Sequence, residues 1–232
     1  MKTEILSEDQ AVKGMDYPIE VKVYKDGVQL IPSSATITIK DPGGAKKVEN
    51  DNMTVDPNTG TLTYSLSSTY TANLWENALI DISYVIDSVT HKAWFLFDVV
   101  LYQLAPSVTD EDLKNYFPGI TDELHEGENS YDKQIQEAFR LIKRDIKDKG
   151  KRPAMIIDGM QIRELIIIKT FELVFFDFAK NEEDIWGIRF KEMQERYNDR
   201  FNKLNIKYDE DESGTIDEDE KQRSLGQITL ER

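Results

Sequence analysis

The sequence predicts an α+β protein in separate parts: an N-terminal all-β sandwich, a small all-α helical bundle and an extended C-terminal tail. Short β-branched and aromatic runs broken by turn signals fill roughly the first hundred residues, and apolar residues then recur at helical spacing. The end of the chain is acid-rich and lacks either pattern. These shifts place a sandwich at 1–103, a linker at 104–108, a helical domain at 109–207 and a tail at 208–232.

The strands read individually from Pro18 to Tyr102. Ile19, Val21 and Val23 alternate with polar residues, Asp26-Gly27 offers a hairpin turn, and Val28 to Ile31 resumes. Ala35 to Lys40 is closed by Asp41-Pro42-Gly43-Gly44. A second turn, Asp56-Pro57-Asn58-Thr59-Gly60, leads into Leu62, Tyr64 and Leu66 on one face. Leu79 to Ile86 and Lys92 to Tyr102 are joined at Asp87-Ser88, and Trp94, Phe95, Phe97, Val99 and Val100 predict a central position for the second of them. About seven strands in about 85 residues fit an immunoglobulin-like sandwich.

Periodicity changes at Leu104-Ala105-Pro106-Ser107. Thr109 before Asp110-Glu111-Asp112 is a helix start, with a hydroxyl cap and acids where the macrodipole favours them. Tyr116-Phe117-Pro118-Gly119 ends that short helix. From Tyr131, the residues Ile135, Ala138, Phe139, Ile142 and Ile146 form an amphipathic helix that stops at Lys149-Gly150. A second helix from about Asp158 to Lys180 is apolar on most faces and belongs at the centre of the bundle. A third carries Trp186, Phe190, Met193, Tyr197, Phe201 and Leu204 on one stripe.

Composition narrows the function. With 29 basic against 44 acidic residues and a formal charge of -15, non-specific contact with nucleic acid or anionic membrane is disfavoured. No cysteine is present, which excludes disulfides, thiolate zinc sites and cysteine nucleophiles. The most apolar stretch, Ile162 to Phe178, contains Arg163, Glu164, Lys169, Glu172 and Asp177 and reads as a buried helix, not a membrane span. Met1 to Gln10 lack the pattern of a secretion signal.

Little catalytic chemistry is legible. His91 and His125 have no partner at catalytic or metal spacing, and Asp41 to Lys47 lacks the order of a phosphate loop. Other carboxylates sit on predicted helix surfaces, so no enzyme activity is expected. Lys143, Arg144, Lys147, Lys149, Lys151 and Arg152 cluster at a helix end, where they either stabilise the terminus or form a cationic patch for an acidic partner.

The sharpest motif is D-E-D-E-S-G-T-I-D-E-D-E, from Asp209 to Glu220, which fits an EF-hand calcium loop. Asp209, Asp211, Ser213, Thr215, Asp217 and Glu220 occupy the six ligand positions. An acidic stretch matches several of these by accident, but Gly214 at the turn and aliphatic Ile216 at position 8 are independent of acidity. Read as directly following the third long helix, the loop is a calcium-capable hinge with one weak structural site. Beyond it, Leu225 to Arg232 alternates Ile228 and Leu230 with polar residues, suited to adding as a strand to another subunit or to fraying.

The succession of Leu104 to Leu113, Tyr116-Phe117-Pro118, the helix pair joined near Gly150 to Pro153, the Trp186 to Leu204 helix and a tail ending Ile228-Thr229-Leu230-Glu231-Arg232 resembles head-to-tail adaptor (connector) proteins of tailed bacteriophages. The resemblance covers roughly 105–232 and rests on layout and loose motifs. It implies a virion protein assembled in the host cytoplasm, a dodecameric ring beneath the portal, and a neck or tail protein received on the ring's other side. It also implies that the C-terminal segment docks on the portal, through Leu225, Ile228, Leu230 and Arg232. The added N-terminal sandwich departs from the minimal family pattern. The rival reading is a calcium-dependent binding or adhesion module of a surface protein, but Lys221 to Leu225 leave barely one helical turn after the loop.

Overall fold

The order of elements follows directly from where apolar alternation and helical spacing exchange. The computed structural model describes residues 1–124, 127–181, 183–204, 206–209, 213, 214 and 216. The chain divides into two compact units, Met1–Gln103 and Leu104–Arg232. The first is β-rich and the second helical, so the protein is α+β.

Ten strands build the first unit: β1 (Lys2–Ile5), β2 (Gln10–Val12), β3 (Tyr17–Lys25), β4 (Val28–Leu30), β5 (Ser34–Lys40), β6 (Lys46–Asn52), β7 (Thr54–Val55), β8 (Leu62–Leu66), β9 (Trp75–Ile86) and β10 (Val89–Val100). One sheet runs β1-β3-β8-β7 with β4 also paired to β3, and the other runs β2-β10-β9-β5-β6. Every pairing is antiparallel except β2 with β10. Strict alternation along β3 turns Tyr17, Ile19, Val21 and Val23 inward. They share one core with Ile37, Ile39, Ile80, Ile82, Tyr84 and Phe97 of the facing sheet. Tyr17 stacks on Phe97 at 5.3 Å, and the hydroxyls of Thr3 and Tyr84 meet at 3.0 Å.

Three sequence expectations change here. Ten strands replace about seven, because β1, β2, β6 and β7 are short or polar; in β6 only Val48 is buried. The last strand is central along part of its length only. Asp98–Val100 lie between β9 and β2, whereas among the described residues Val89–Phe97 pair on one side alone and Trp94 is 67 % exposed. Third, 104–108 is no free linker: Leu104 and Val108 are buried in the helical core.

The second unit contains α1 (Asp110–Tyr116), α2 (Asp132–Asp148), α3 (Arg163–Phe178) and α4 (Ile185–Asn202), with 3-10 turns at Pro118–Glu123, Pro153–Met155 and Gly159–Ile162. Asp112 accepts from the backbone N–H of Thr109 at 2.9 Å and from its hydroxyl at 3.1 Å, and also holds Arg163. At the start of α4, Asp184 accepts from Gly187 N–H at 2.7 Å. The central helix begins at Arg163 and not near Asp158, because Asp158 instead caps the 3-10 turn through Met160 N–H at 2.8 Å.

α3 is buried on most faces, which its sequence anticipates: Leu165 to Ile168, Phe171, Val174 and Phe175 all lie in the core. Its polar exceptions are paired. Lys169 bonds Glu172 at 2.9 Å and lies 4.3 Å from the ring centre of Tyr197, whose hydroxyl donates to Asp145 at 2.7 Å. Burial, then the Asp145 carboxylate, pushes the Tyr197 phenol well above its ordinary range. Among the described residues no helix is long and apolar enough to cross a membrane.

Candidate functional site

The acidic motif does not directly follow a helix. α4 ends at Asn202, and residues 206–209 then return along the 3-10 turns of 153–162. This corrects the expected helix-to-loop joint. Ile206 and Tyr208 are the reason: both are fully buried in the helical core, so burial holds the chain there as a strap. The side-chain amide of Gln161 brackets Lys207, accepting from its N–H at 2.8 Å and donating to its carbonyl at 3.3 Å. Asp209 N–H donates to the Met155 carbonyl at 3.0 Å, and Lys151 lies 5.4 Å from the Tyr208 ring centre.

Asp209, only 3 % exposed, is therefore fixed before the motif begins. Its Oδ1 accepts from Ser213 N–H at 2.8 Å and from the Ser213 hydroxyl at 3.4 Å, and its Oδ2 accepts from Gly214 N–H at 2.8 Å. Gly214 has φ +86°, a left-handed conformation costly to a side chain. The chain thus reverses around one carboxylate. Oδ2, with one donor, retains acceptor capacity beyond these bonds, and hard oxygen donors suit calcium.

Of the predicted metal ligands, the structure brings together Asp209 and Ser213. Asp211, Thr215, Asp217 and Glu220 lie outside the described residues, as do Leu225, Ile228, Leu230 and Arg232. Among the described residues no group of three metal-ligating His, Asp or Glu side chains is present. His91 stacks on Tyr84 at 5.6 Å, and His125 lies outside the described residues. The expected cationic cluster is partly internal: Lys143 is buried, 5.0 Å from the Phe139 ring centre, and Arg144 pairs with Asp145 at 3.0 Å. Asp41 to Lys47 is a strand turn, closed by Ala45 N–H on Asp41 at 2.9 Å.

One surface feature is assembled only by the fold. A hollow of about 230 Å³ opens between the end of α1 and the α3–α4 pair, lined by Tyr116, Phe117, Phe171, Phe175, Arg189, Glu192, Met193 and Arg196. The available signal was Arg189 and Arg196 seven residues apart, two turns along one helix face. No protein-family model and no curated protein matches this chain.

Proposed function

We propose that this protein is a structural head-to-tail adaptor of a tailed-phage virion, forming a ring that attaches to the portal and links it to neck or tail components. The observation that supports this reading is the order of the helical unit: a capped short α1 ending at Tyr116-Phe117, then α2, α3 and α4, then a strap leading to the tail. That order agrees with the layout on which the resemblance rests. The N-terminal unit is proposed as an immunoglobulin-like domain. What supports this is the sheet order: β1-β3-β8-β7, with β4 also on β3, would supply the A-B-E-D sheet, and β10-β9-β5 the G-F-C sheet.

The acidic loop is proposed to hold one structural calcium ion, through Asp209, Asp211, Ser213, Thr215, Asp217 and Glu220. The Asp209 cradle and Gly214 supply the turn such a loop requires. Calcium there would offset repulsion among carboxylates and fix the direction in which Leu225, Ile228, Leu230 and Arg232 leave toward the portal. The separation of Asp209 from α4 removes the incoming helix of a calcium-driven lever, which weighs against the adhesion-module alternative. Electron microscopy of the purified protein, alone and with its cognate portal, tests the reading. Rings or portal-bound rings are expected, and their absence in both samples would reject it.

A further inference from the structure

We infer that the hollow between α1 and the α3–α4 pair docks an acidic peptide segment of another protein, one that carries an aromatic or long aliphatic side chain. This goes beyond the adaptor reading and stands on the helical unit alone. Phe171 and Phe175, stacked at 5.6 Å and buried, belong to its lining, with Tyr116 exposed at 45 %. At about 230 Å³ the hollow falls below the roughly 300–1,000 Å³ of small-molecule sites, so it suits one anchoring side chain better than a whole cofactor.

The charge around it sets the partner. Arg140, Arg144, Arg163 and Arg200 each hold a carboxylate, whereas Arg189 and Arg196 have no ion-pair partner among the described residues. The Arg189 guanidinium instead lies 4.7 Å from the ring centre of Phe117, 5.0 Å from Trp186 and 5.8 Å from Phe175. Arg196 lies 5.8 Å from the Tyr116 ring and donates to its hydroxyl at 3.3 Å. A guanidinium packed against rings keeps N–H donors for a carboxylate, and rings lower its hydration.

Two such cations outweigh the single Glu192 in the lining, on a chain whose formal charge is -15. An apolar floor with a cationic rim is complementary to an acid-flanked apolar side chain. Tyr and Arg are also the residue types that dominate binding energy at protein interfaces. Ile185 and Ile188, exposed near the start of α4, extend the apolar surface along the same helix.

The test uses the full chain and a fluorescein-labelled acidic peptide with one central phenylalanine, read by fluorescence anisotropy against the same peptide with lysines for acids. Saturable binding of the acidic probe alone is expected. Arg189→Gln and Arg196→Gln should each weaken it about tenfold or more, the scale for truncating a charged interface partner. Because Arg189 also covers three rings, exposed Arg196→Gln is the deciding variant, and its thermal unfolding should match wild type. Equal binding of both probes, no saturable binding, or binding untouched by Arg196→Gln would overturn the inference. Self-association that Arg196→Gln abolishes would assign the hollow to a second copy and overturn the stated partner.

Discussion

Asp209 couples the two properties that make its motif readable as a site: it is a candidate ligand, and it is the acceptor around which the chain turns. Replacing it with Ala removes the acceptor of two backbone N–H groups; Ser213 is exposed and Gly214 half-buried, so water partly substitutes and the cost is about 1 kcal/mol. Asp209→Ala should therefore lower the denaturant midpoint of the helical unit and abolish calcium heat in titration calorimetry. Asp112 carries a pH dependence. The Thr109 backbone N–H, then the Thr109 hydroxyl and Arg163, hold its carboxyl below the ordinary range against the opposing effect of burial. Its stabilisation is complete above the unfolded value near pH 4 and is lost as pH falls through the depressed folded value. Denaturant midpoints of wild type and Asp112→Asn are thus expected to differ at pH 6 and converge toward pH 2. Gly214 is legible as a turn from the sequence, whereas the part of Asp209 as the acceptor that closes it, and the strap before it, are not. Ile206 and Tyr208 are too few to show periodicity, and their burial depends on contacts distant in the chain.

Among elements, legibility followed the strength of one buried face. β3, β5 and β9 alternate cleanly and were read, as were the turns at Asp26-Gly27 and Asp56 to Gly60. β1 and β6 carry mostly polar or charged residues because they lie at sheet edges, where pairing and not burial defines the strand. The Asp56 to Gly60 turn gives a sharp test. A Cβ on Gly60 would lie 2.4 Å from the Leu30 carbonyl oxygen and 2.9 Å from the Ile31 Cα, and the backbone there has φ +66°. Gly60→Ala should destabilise the sandwich unit by more than about 1 kcal/mol, read as a lower denaturant midpoint, with helical signals unchanged. The α3 core was legible because nearly every face is apolar. The Arg189 hollow was not, since α1 contributes Tyr116 from far along the chain.

At the scale of the molecule, the proposed adaptor would join its partners through repetition of a tail contact. A ring multiplies a weak tail contact by its copy number, so a stable junction does not require a large interface per subunit. The tail segment proposed to meet the portal begins after the strap that buries Ile206 and Tyr208, so each copy would present it from a fixed point. The most direct measurement is sedimentation of a purified cognate portal with the full chain and with a version ending at residue 224, which keeps the buried Tyr208 and Asp209 and removes only the segment proposed to dock. Co-sedimentation of the full chain as a ring-sized complex, lost on truncation, is the expected result. A full chain that sediments apart from the portal as a monomer would contradict the account.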